Sequence, residues 1–163
     1  MVDRRPLVIG VIGEGDASSH LRHMAEEVGR LVAERGALVV CGGLRGVMEA
    51  ACRGATAAGG TAIGILPGTR KDDANPYVTV PLPTGMGEAR NVLVVRAADA
   101  IIAVGGKFGT LSEIALALKM GRPLVGLHTW ELIYEGKLLR PFPVCETPDE
   151  AVDLALQLAE REA

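Results

Sequence analysis

The residues whose types and spacing best suit chemistry lie in the stretch from Gly105 to Glu113, Gly-Gly-Lys-Phe-Gly-Thr-Leu-Ser-Glu. An apolar run ending at Val104 leads into it, which is the pattern of a buried strand passing through glycines into a helix. Glycine lets the backbone approach an anion closely, and the first N–H groups of a helix have no partner inside the helix. The stretch therefore predicts a phosphate-binding junction. Its candidate ligand-binding residues are Gly105, Gly106, Lys107, Gly109 and Thr110.

Glu113 has two opposed interpretations, one structural and one functional. Thr110-Leu111-Ser112-Glu113 matches a capping box, in which the Thr110 hydroxyl accepts from the N–H of Glu113 and the Glu113 carboxylate accepts from the N–H of Thr110. A carboxylate in such a junction can instead stabilise a developing positive charge or activate water. It would also repel a bound phosphate unless arginine or helix N–H groups intervened. The residues alone leave both roles open.

Two more glycine turns follow apolar runs nearer the N-terminus. Gly13 and Gly15 follow the first run, and Gly42 and Gly43 follow the second. Ligands of parallel sheets bind at the carboxyl ends of the strands, where these turns would lie. The three turns therefore point to one cleft, and these four glycines join the candidate ligand-binding residues.

The elements that would position these turns alternate between strand-length apolar runs and amphipathic helical patterns. Strands buried on both faces and joined by helices form parallel sheets with right-handed crossovers. We therefore predict an α/β fold, a doubly wound, mostly parallel, Rossmann-like sheet with helices on both faces. The predicted strands are 7–12, 37–41, 61–66, 100–104 and 124–127, and the predicted helices are 20–35, 47–58, 111–120 and 149–160.

Two segments are less regular. Residues 85–98 contain a strand-like run at 91–95, but the spacing of their apolar residues favours a helix buried on several sides, a candidate for a subunit interface. Residues 67–83 have the composition of a long loop with a short strand at 77–80. Such a loop at a strand's carboxyl end is either a lid or a solvated connection.

Composition limits the classes of function. With 163 residues and 48% hydrophobic side chains, the chain can bury one core, and we expect a single domain over residues 1–163. A net charge of −3 and only 3% aromatic residues disfavour nucleic-acid binding. The apolar run after the charged N-terminus is too short for a signal sequence or a membrane span. We expect a cytoplasmic protein that does not bind membranes.

The cysteines and histidines do not form a predicted metal site. Cys41, Cys52 and Cys145 are odd in number and widely spaced, which fits reduced thiols in the cytoplasm. His20 and His23 are three residues apart on a predicted helix, where solvent exposure is a simpler interpretation than metal binding.

The sequence does not complete any of three familiar cofactor-binding motifs. Gly10-x-x-Gly13-x-Gly15 lacks the third glycine of a dinucleotide-binding turn, since Ser18 stands in its place, and the second strand ends without an acidic residue for the ribose. The lysine at 107 is not followed by the Ser or Thr of a P-loop. It also lacks the signs of a pyridoxal-binding lysine. Two roles remain open for Lys107: it binds an anionic ligand, or it is simply exposed on the loop.

Gly106, Gly109, Thr110 and Glu113 match the pattern Pro-Gly-Gly-x-Gly-Thr-x-x-Glu, and through them the chain resembles a known superfamily. This Rossmann-like group contains LONELY GUY-type cytokinin-activating phosphoribohydrolases and molybdenum cofactor carrier proteins, and is often labelled lysine-decarboxylase-like. The segment 86–90, Met-Gly-Glu-Ala-Arg, is similar to the enzymes' arginine motif, and residues 39–48 to their second glycine turn. The resemblance spans residues 7–127.

Three departures make the chain more similar to the carrier branch than to the hydrolases. Gly105 stands where the enzymes have Pro, Lys107 where they have the second Gly, and Asn91 where Lys follows the arginine. The resemblance to the carrier branch implies a molybdopterin-type or nucleotide-like phosphorylated ligand, with no required cofactor. We expect a homo-oligomer, either a dimer or a tetramer.

The resemblance also implies an alternative function. The hydrolases split the N-glycosidic bond of a nucleoside 5′-monophosphate, giving a free base and ribose 5-phosphate. In that interpretation Gly106, Gly109 and Thr110 hold the phosphate, Glu113 acts at the anomeric carbon or on water, and Arg90 orients the phosphate or sugar. A surface arginine that covers an apolar helix is the simpler role for Arg90. A nucleotide sensor without turnover is a third hypothesis, and lysine decarboxylation is not expected.

Overall fold

A computed structural model describes residues 5–162 and confirms the doubly wound α/β fold. Seven parallel strands form one sheet in the order β4-β3-β2-β1-β5-β6-β9, and a separate antiparallel hairpin pairs β7 with β8. The strands are β1 Val8–Gly13, β2 Leu38–Cys41, β3 Ala62–Leu66, β4 Val80–Pro83, β5 Ala100–Val104, β6 Leu124–Leu127, β7 Leu132–Tyr134, β8 Lys137–Leu139 and β9 Val144–Cys145. The α-helices are α1 Ser19–Glu34, α2 Val47–Ala57, α3 Asn91–Ala97, α4 Phe108–Met120 and α5 Pro148–Glu162, with 3-10 turns at Lys71–Asp73 and Gly87–Arg90.

The strand order reverses direction between β1 and β5. Strands β2, β3 and β4 add successively on one side of β1, whereas β5, β6 and β9 add on the other. The register places Gly13 beside Val104, so the loops after β1 and β5 start next to each other. A reversal of this kind leaves a crevice at the carboxyl ends of the strands, which is where doubly wound sheets bind ligands.

Apolar cores cover both faces of the sheet. Along β5, Ile102 and Val104 belong to the core under α1, α2 and α5, while Ile101 and Ala103 belong to the core under α3 and α4. This alternation follows from the two-residue period of a strand. All five residues of β5 are buried, so the strand that leads into the glycine turn has little freedom to move.

Helix α1 begins where a dinucleotide-binding turn would have its third glycine. The Ser18 hydroxyl accepts from the N–H of Leu21 at 3.2 Å and caps the helix. Serine is among the preferred residues at this position because its oxygen satisfies a first-turn N–H. Ser18 is therefore a helix cap.

The sequence placed one strand wrongly and missed three others. The strand predicted at 77–80 begins only at Val80, because Tyr77 donates to the Asn75 side chain at 3.0 Å in a local turn. Strand β4 lies at the sheet edge, where prolines are tolerated because the outer N–H groups need no partner. Strands β7 and β8 join through Glu135 and Gly136, both with positive φ as in a two-residue hairpin turn. Strand β9 was the third strand not predicted.

The helix predicted over 85–98 is shorter than expected. A 3-10 turn at Gly87–Arg90 precedes α3, and Gly85 and Gly87 have positive φ that delays regular helix. Asn91, Val94 and Val95 are buried, whereas the end of α3 is exposed.

Further sequence expectations concern cysteines, metals and membranes. Cys41, Cys52 and Cys145 are free and buried. Within residues 5–162, no group of three or more His, Cys, Asp or Glu side chains could hold a metal ion. None of the helices in this part of the chain combines the length and the hydropathy needed to cross a membrane.

Candidate functional site

A cleft of about 520 Å³ opens at the carboxyl ends of β1 and β5, where the strand order reverses. The loops after β1, β2, β3 and β5, the 3-10 turn before α3 and the first two turns of α4 surround it. The lining residues are Gly13, Glu14, Gly15, Leu44, Met48, Pro67, Glu88, Arg90, Asn91, Lys107, Phe108, Gly109, Thr110, Ser112 and Glu113.

The predicted ligand-binding glycines divide into two groups. Gly13, Gly15 and Gly109 line the cleft, together with Lys107 and Thr110. The remaining four are not among the lining residues, and a Cβ on any of them would meet a neighbouring side chain within 3.0 Å. These residues are Gly42, Gly43, Gly105 and Gly106.

Helix α4 begins at Phe108, earlier than the sequence predicted. Lys107 has an extended backbone and occupies the N-cap position, and its own side chain makes no capping hydrogen bond to the first turn. The free N–H groups of this turn carry the positive end of the helix dipole and can bind an anion. Thr110, which is 3% exposed, lies inside the first turn.

This start makes the capping-box interpretation wrong. A capping box needs Thr110 at the N-cap position and Glu113 at the third helical residue. Thr110 is itself the third residue of α4, so Glu113 falls in the second turn. The described residues include none that donates a hydrogen bond to the Glu113 carboxylate.

Arg90 is buried on neutral partners. Its side chain is inside the protein, with 8% of the residue exposed, so the interpretation as a surface arginine is wrong. Nε donates to the Ile65 carbonyl at 2.8 Å and Nη2 to the Gly42 carbonyl at 3.3 Å, while Nη1 donates to the Asn91 side chain. Within residues 5–162, no carboxylate lies at ion-pair distance from this guanidinium.

Gly42 leaves the room that Arg90 needs. A Cβ at this position would lie 2.6 Å from Nη2 of Arg90. Burial lowers the pKa of Arg90, and the negative charge of Glu113 opposes that effect. Because a guanidinium loses its proton only at strongly alkaline pH, Arg90 stays a cation at neutral pH.

Glu113 is the second buried charge of the cleft. It is 7% exposed, and burial raises its pKa to about 7, while the nearby Arg90 cation acts in the opposite direction. A carboxyl with this pKa exists in both protonation states at neutral pH. It can therefore give or take a proton at the cleft wall.

Lys107 is engaged with acidic side chains. Its ammonium lies 3.7 Å from a carboxylate oxygen of Glu14 and 3.7 Å from one of Asp16. The other oxygen of Glu14 accepts from the N–H of Gly106 at 3.2 Å. The loops after β1 and β5 are therefore joined across the mouth of the cleft, and an anion would have to compete with Glu14 for Lys107.

Several lining residues were not predicted as site residues. Asn91, Phe108 and Ser112 lie within or beside the motifs that the sequence analysis singled out, and Glu14 stands between two candidate glycines. Their positions in those motifs were the available signal. Leu44 and Met48 lie in the second glycine turn at 39–48 and Glu88 in the arginine motif at 86–90, whereas Pro67 lies in none of these motifs and reaches the cleft through the fold.

Comparisons with known proteins agree with this architecture. The family model described as LDcluster4, SLOG cluster4 family, matches residues 6–152. An uncharacterized protein of Archaeoglobus fulgidus is 45% identical over 148 residues, covering 91% of this chain and 93% of that protein.

Two solved structures are similar over almost their whole length. The molybdenum cofactor binding protein of Rippkaea orientalis has a TM-score of 0.86 and 34% identity, covering 94% of this chain and 98% of that one. The molybdenum cofactor carrier protein of Chlamydomonas reinhardtii has a TM-score of 0.85 and 34% identity, and the similarity covers 96% of this chain and 99% of that one.

The raised pKa of Glu113 predicts a pH dependence of stability. A folded-state pKa of about 7 against an ordinary 4.5 means that the folded protein binds more protons between these values. The free energy of unfolding should therefore fall as pH rises through this window, by roughly 3 kcal/mol for this residue. Glu113→Gln should remove that contribution.

Urea unfolding at pH 4.5, 6 and 8 measures this effect. Glu160→Gln, at an exposed position on α5, is the matched control and should keep the wild-type slope. An unchanged slope in Glu113→Gln would show that the carboxyl titrates normally in the folded protein.

Proposed function

The chain belongs to the SLOG cluster4 family, and we propose that it binds a phosphorylated molybdopterin-type or nucleotide-like small molecule in the cleft, as a carrier without turnover. The phosphate lies at the first turn of α4, close to Gly109 and Thr110. Arg90 supplies the opposing charge from the cleft wall.

Arg90 is the observation that carries this proposal. A buried cation is costly unless it is paired, and the partners of Arg90 are carbonyl and amide oxygens without charge. Three of its donors are used, and a guanidinium has five. A phosphate in the cleft would provide the missing charge and accept the remaining donors.

The similar structures support a molybdopterin-type ligand. The proteins of R. orientalis and C. reinhardtii are named for binding and carrying the molybdenum cofactor, and each is 34% identical to this chain. The similarity covers more than nine-tenths of both chains in each comparison. A pterin that carries a phosphate matches a cleft with an anion-binding end.

A phosphoribohydrolase is the second candidate, and Glu113 is the observation that favours it. A carboxyl with pKa about 7 at the wall of an anion-binding cleft is suited to acid or base catalysis. Lys107 and Asn91 differ from the hydrolase pattern, which supports binding over cleavage. A nucleotide sensor would use the same contacts as the carrier and differ only in its ligand.

A charge placed at the helix start tests the anion site. Gly109 lies in the first turn of α4, and within residues 5–162 a Cβ there would meet no atom within 4 Å beyond its own helical turn, so a side chain fits. Gly109→Asp should weaken molybdopterin binding at least tenfold, because its carboxylate repels the phosphate. The Gly109→Asn variant has a side chain of the same shape without the charge. It should bind molybdopterin at least tenfold more tightly than Gly109→Asp.

Equilibrium binding of molybdopterin under anaerobic conditions gives the comparison. The ratio of the two affinities isolates charge from bulk. Equal affinities for the two variants would place the phosphate elsewhere.

Turnover separates the carrier from the hydrolase. The purified protein is incubated with AMP, GMP and CMP, and free base and ribose 5-phosphate are measured by chromatography. A carrier releases neither above the buffer blank. Release that Glu113→Gln abolishes would instead establish the hydrolase.

A further inference from the structure

Phe108 is an exposed aromatic residue at the anion-binding end of the cleft. It is the first residue of α4, lines the cleft and is 80% exposed. Aromatic side chains are only 3% of this chain, and a ring this open to water forgoes the burial that usually holds aromatics in place. The neighbouring Gly109 belongs to the proposed phosphate site, so the ring is adjacent to it in sequence.

The indole ring of Trp130 lies close to the Phe108 ring. The centroids of the two rings are 6.0 Å apart, with 30° between their planes. The indole N–H of Trp130 donates to the Lys107 carbonyl at 3.3 Å, which ties it to the residue that precedes α4. Gly106 allows this approach, since a Cβ there would lie 3.1 Å from the indole nitrogen.

We propose that Phe108, supported by Trp130, is the surface on which a planar heterocycle of the ligand stacks. The inference rests on the proposed function and deepens it, because it names the side chain that recognises the heterocycle of a ligand whose phosphate is bound at α4. Stacking on an aromatic side chain tolerates different rings because each has a π-face. The phosphate site alone would not distinguish such a compound from a simple sugar phosphate.

The contacts of the two residues support a ligand rather than a structural role. Phe108 is 80% exposed and so contributes little to the apolar core, while its backbone is part of the first turn of α4 and its ring lies beside that of Trp130. The polar anchors of the cleft, Arg90 and the first turn of α4, lie on the same cleft surface. A ligand bound through its phosphate has limited freedom to move its attached ring. Stacking of that ring on a nearby aromatic side chain therefore costs less entropy.

Affinities for four compounds separate the contribution of the heterocycle to binding from that of the phosphate. Molybdopterin and GMP carry a fused heterocycle, whereas ribose 5-phosphate and inorganic phosphate do not. Calorimetric affinities of the wild type and of Phe108→Ala are compared for all four. Phe108→Ala should weaken the two ring-bearing compounds roughly tenfold and change the other two by less than about twofold.

Two further variants complete the design. Phe108→Tyr keeps the π-face and should retain wild-type affinity for the ring-bearing compounds. Tyr134→Ala removes an aromatic residue that is 66% exposed on the hairpin, outside the cleft, and should change no affinity. Trp130 is the sole tryptophan, so quenching of its fluorescence by GMP gives an independent readout that ribose 5-phosphate should not produce.

The possible failures are distinguishable. If Phe108→Ala weakens all four compounds alike, or none of them, the stacking proposal is wrong while anion binding stands. If it also dissociates an oligomer in size-exclusion chromatography and weakens all compounds equally, Phe108 contacts a second copy of the chain and the proposal is likewise wrong. If the wild type binds none of the four, the proposed function fails, and the stacking proposal fails with it.

Discussion

The burial of the Arg90 guanidinium against main-chain carbonyls is the constraint on which the site depends. These carbonyls belong to Gly42, just after β2, and Ile65, within β3, so the cation bridges two neighbouring strands at their carboxyl ends. The absence of a side chain at Gly42 leaves the space, and Asn91 at the start of α3 accepts from the remaining terminal nitrogen. Carbonyl dipoles hold the charge in position without neutralising it, which leaves its attraction for an anion in the cleft.

The contacts of Asn91 and Lys107 explain what these two departures from the hydrolase pattern do in the structure. Asn91 accepts from Arg90 through its oxygen, while its amide nitrogen lies 3.5 Å from the Ser112 hydroxyl, so the residue links α3 to α4. A lysine at 91 could accept no hydrogen bond from Arg90 and would add a second cation beside it. Lys107 pairs with Glu14 and Asp16 across the mouth of the cleft. Asn91 and Lys107 therefore each hold a charged side chain of the cleft in place, Asn91 by a hydrogen bond to Arg90 and Lys107 by an ion pair with Glu14.

Much of the fold could be predicted from sequence because the signals were local. Strand β5 and the glycines after it were placed correctly, since a buried apolar run and conformationally special residues identify themselves. The start of α4 was not, because Thr110-Leu111-Ser112-Glu113 fits a capping box equally well and only the extended backbone of Lys107 decides between the two starts. The burial of Arg90 was equally hidden, since its partners are carbonyls of residues 25 and 48 positions away. The expected oligomer and cytoplasmic location stay predictions.

The affinity of ribose 5-phosphate for the wild type and for Arg90→Gln, measured by titration calorimetry, tests the central claim most directly. Glutamine keeps an amide donor for the carbonyls but removes the charge, and circular dichroism establishes that the variant is folded. The account predicts that Arg90→Gln lowers the affinity at least tenfold, because the buried cation is the principal charge facing the phosphate. A folded Arg90→Gln protein that binds ribose 5-phosphate as tightly as the wild type would contradict it.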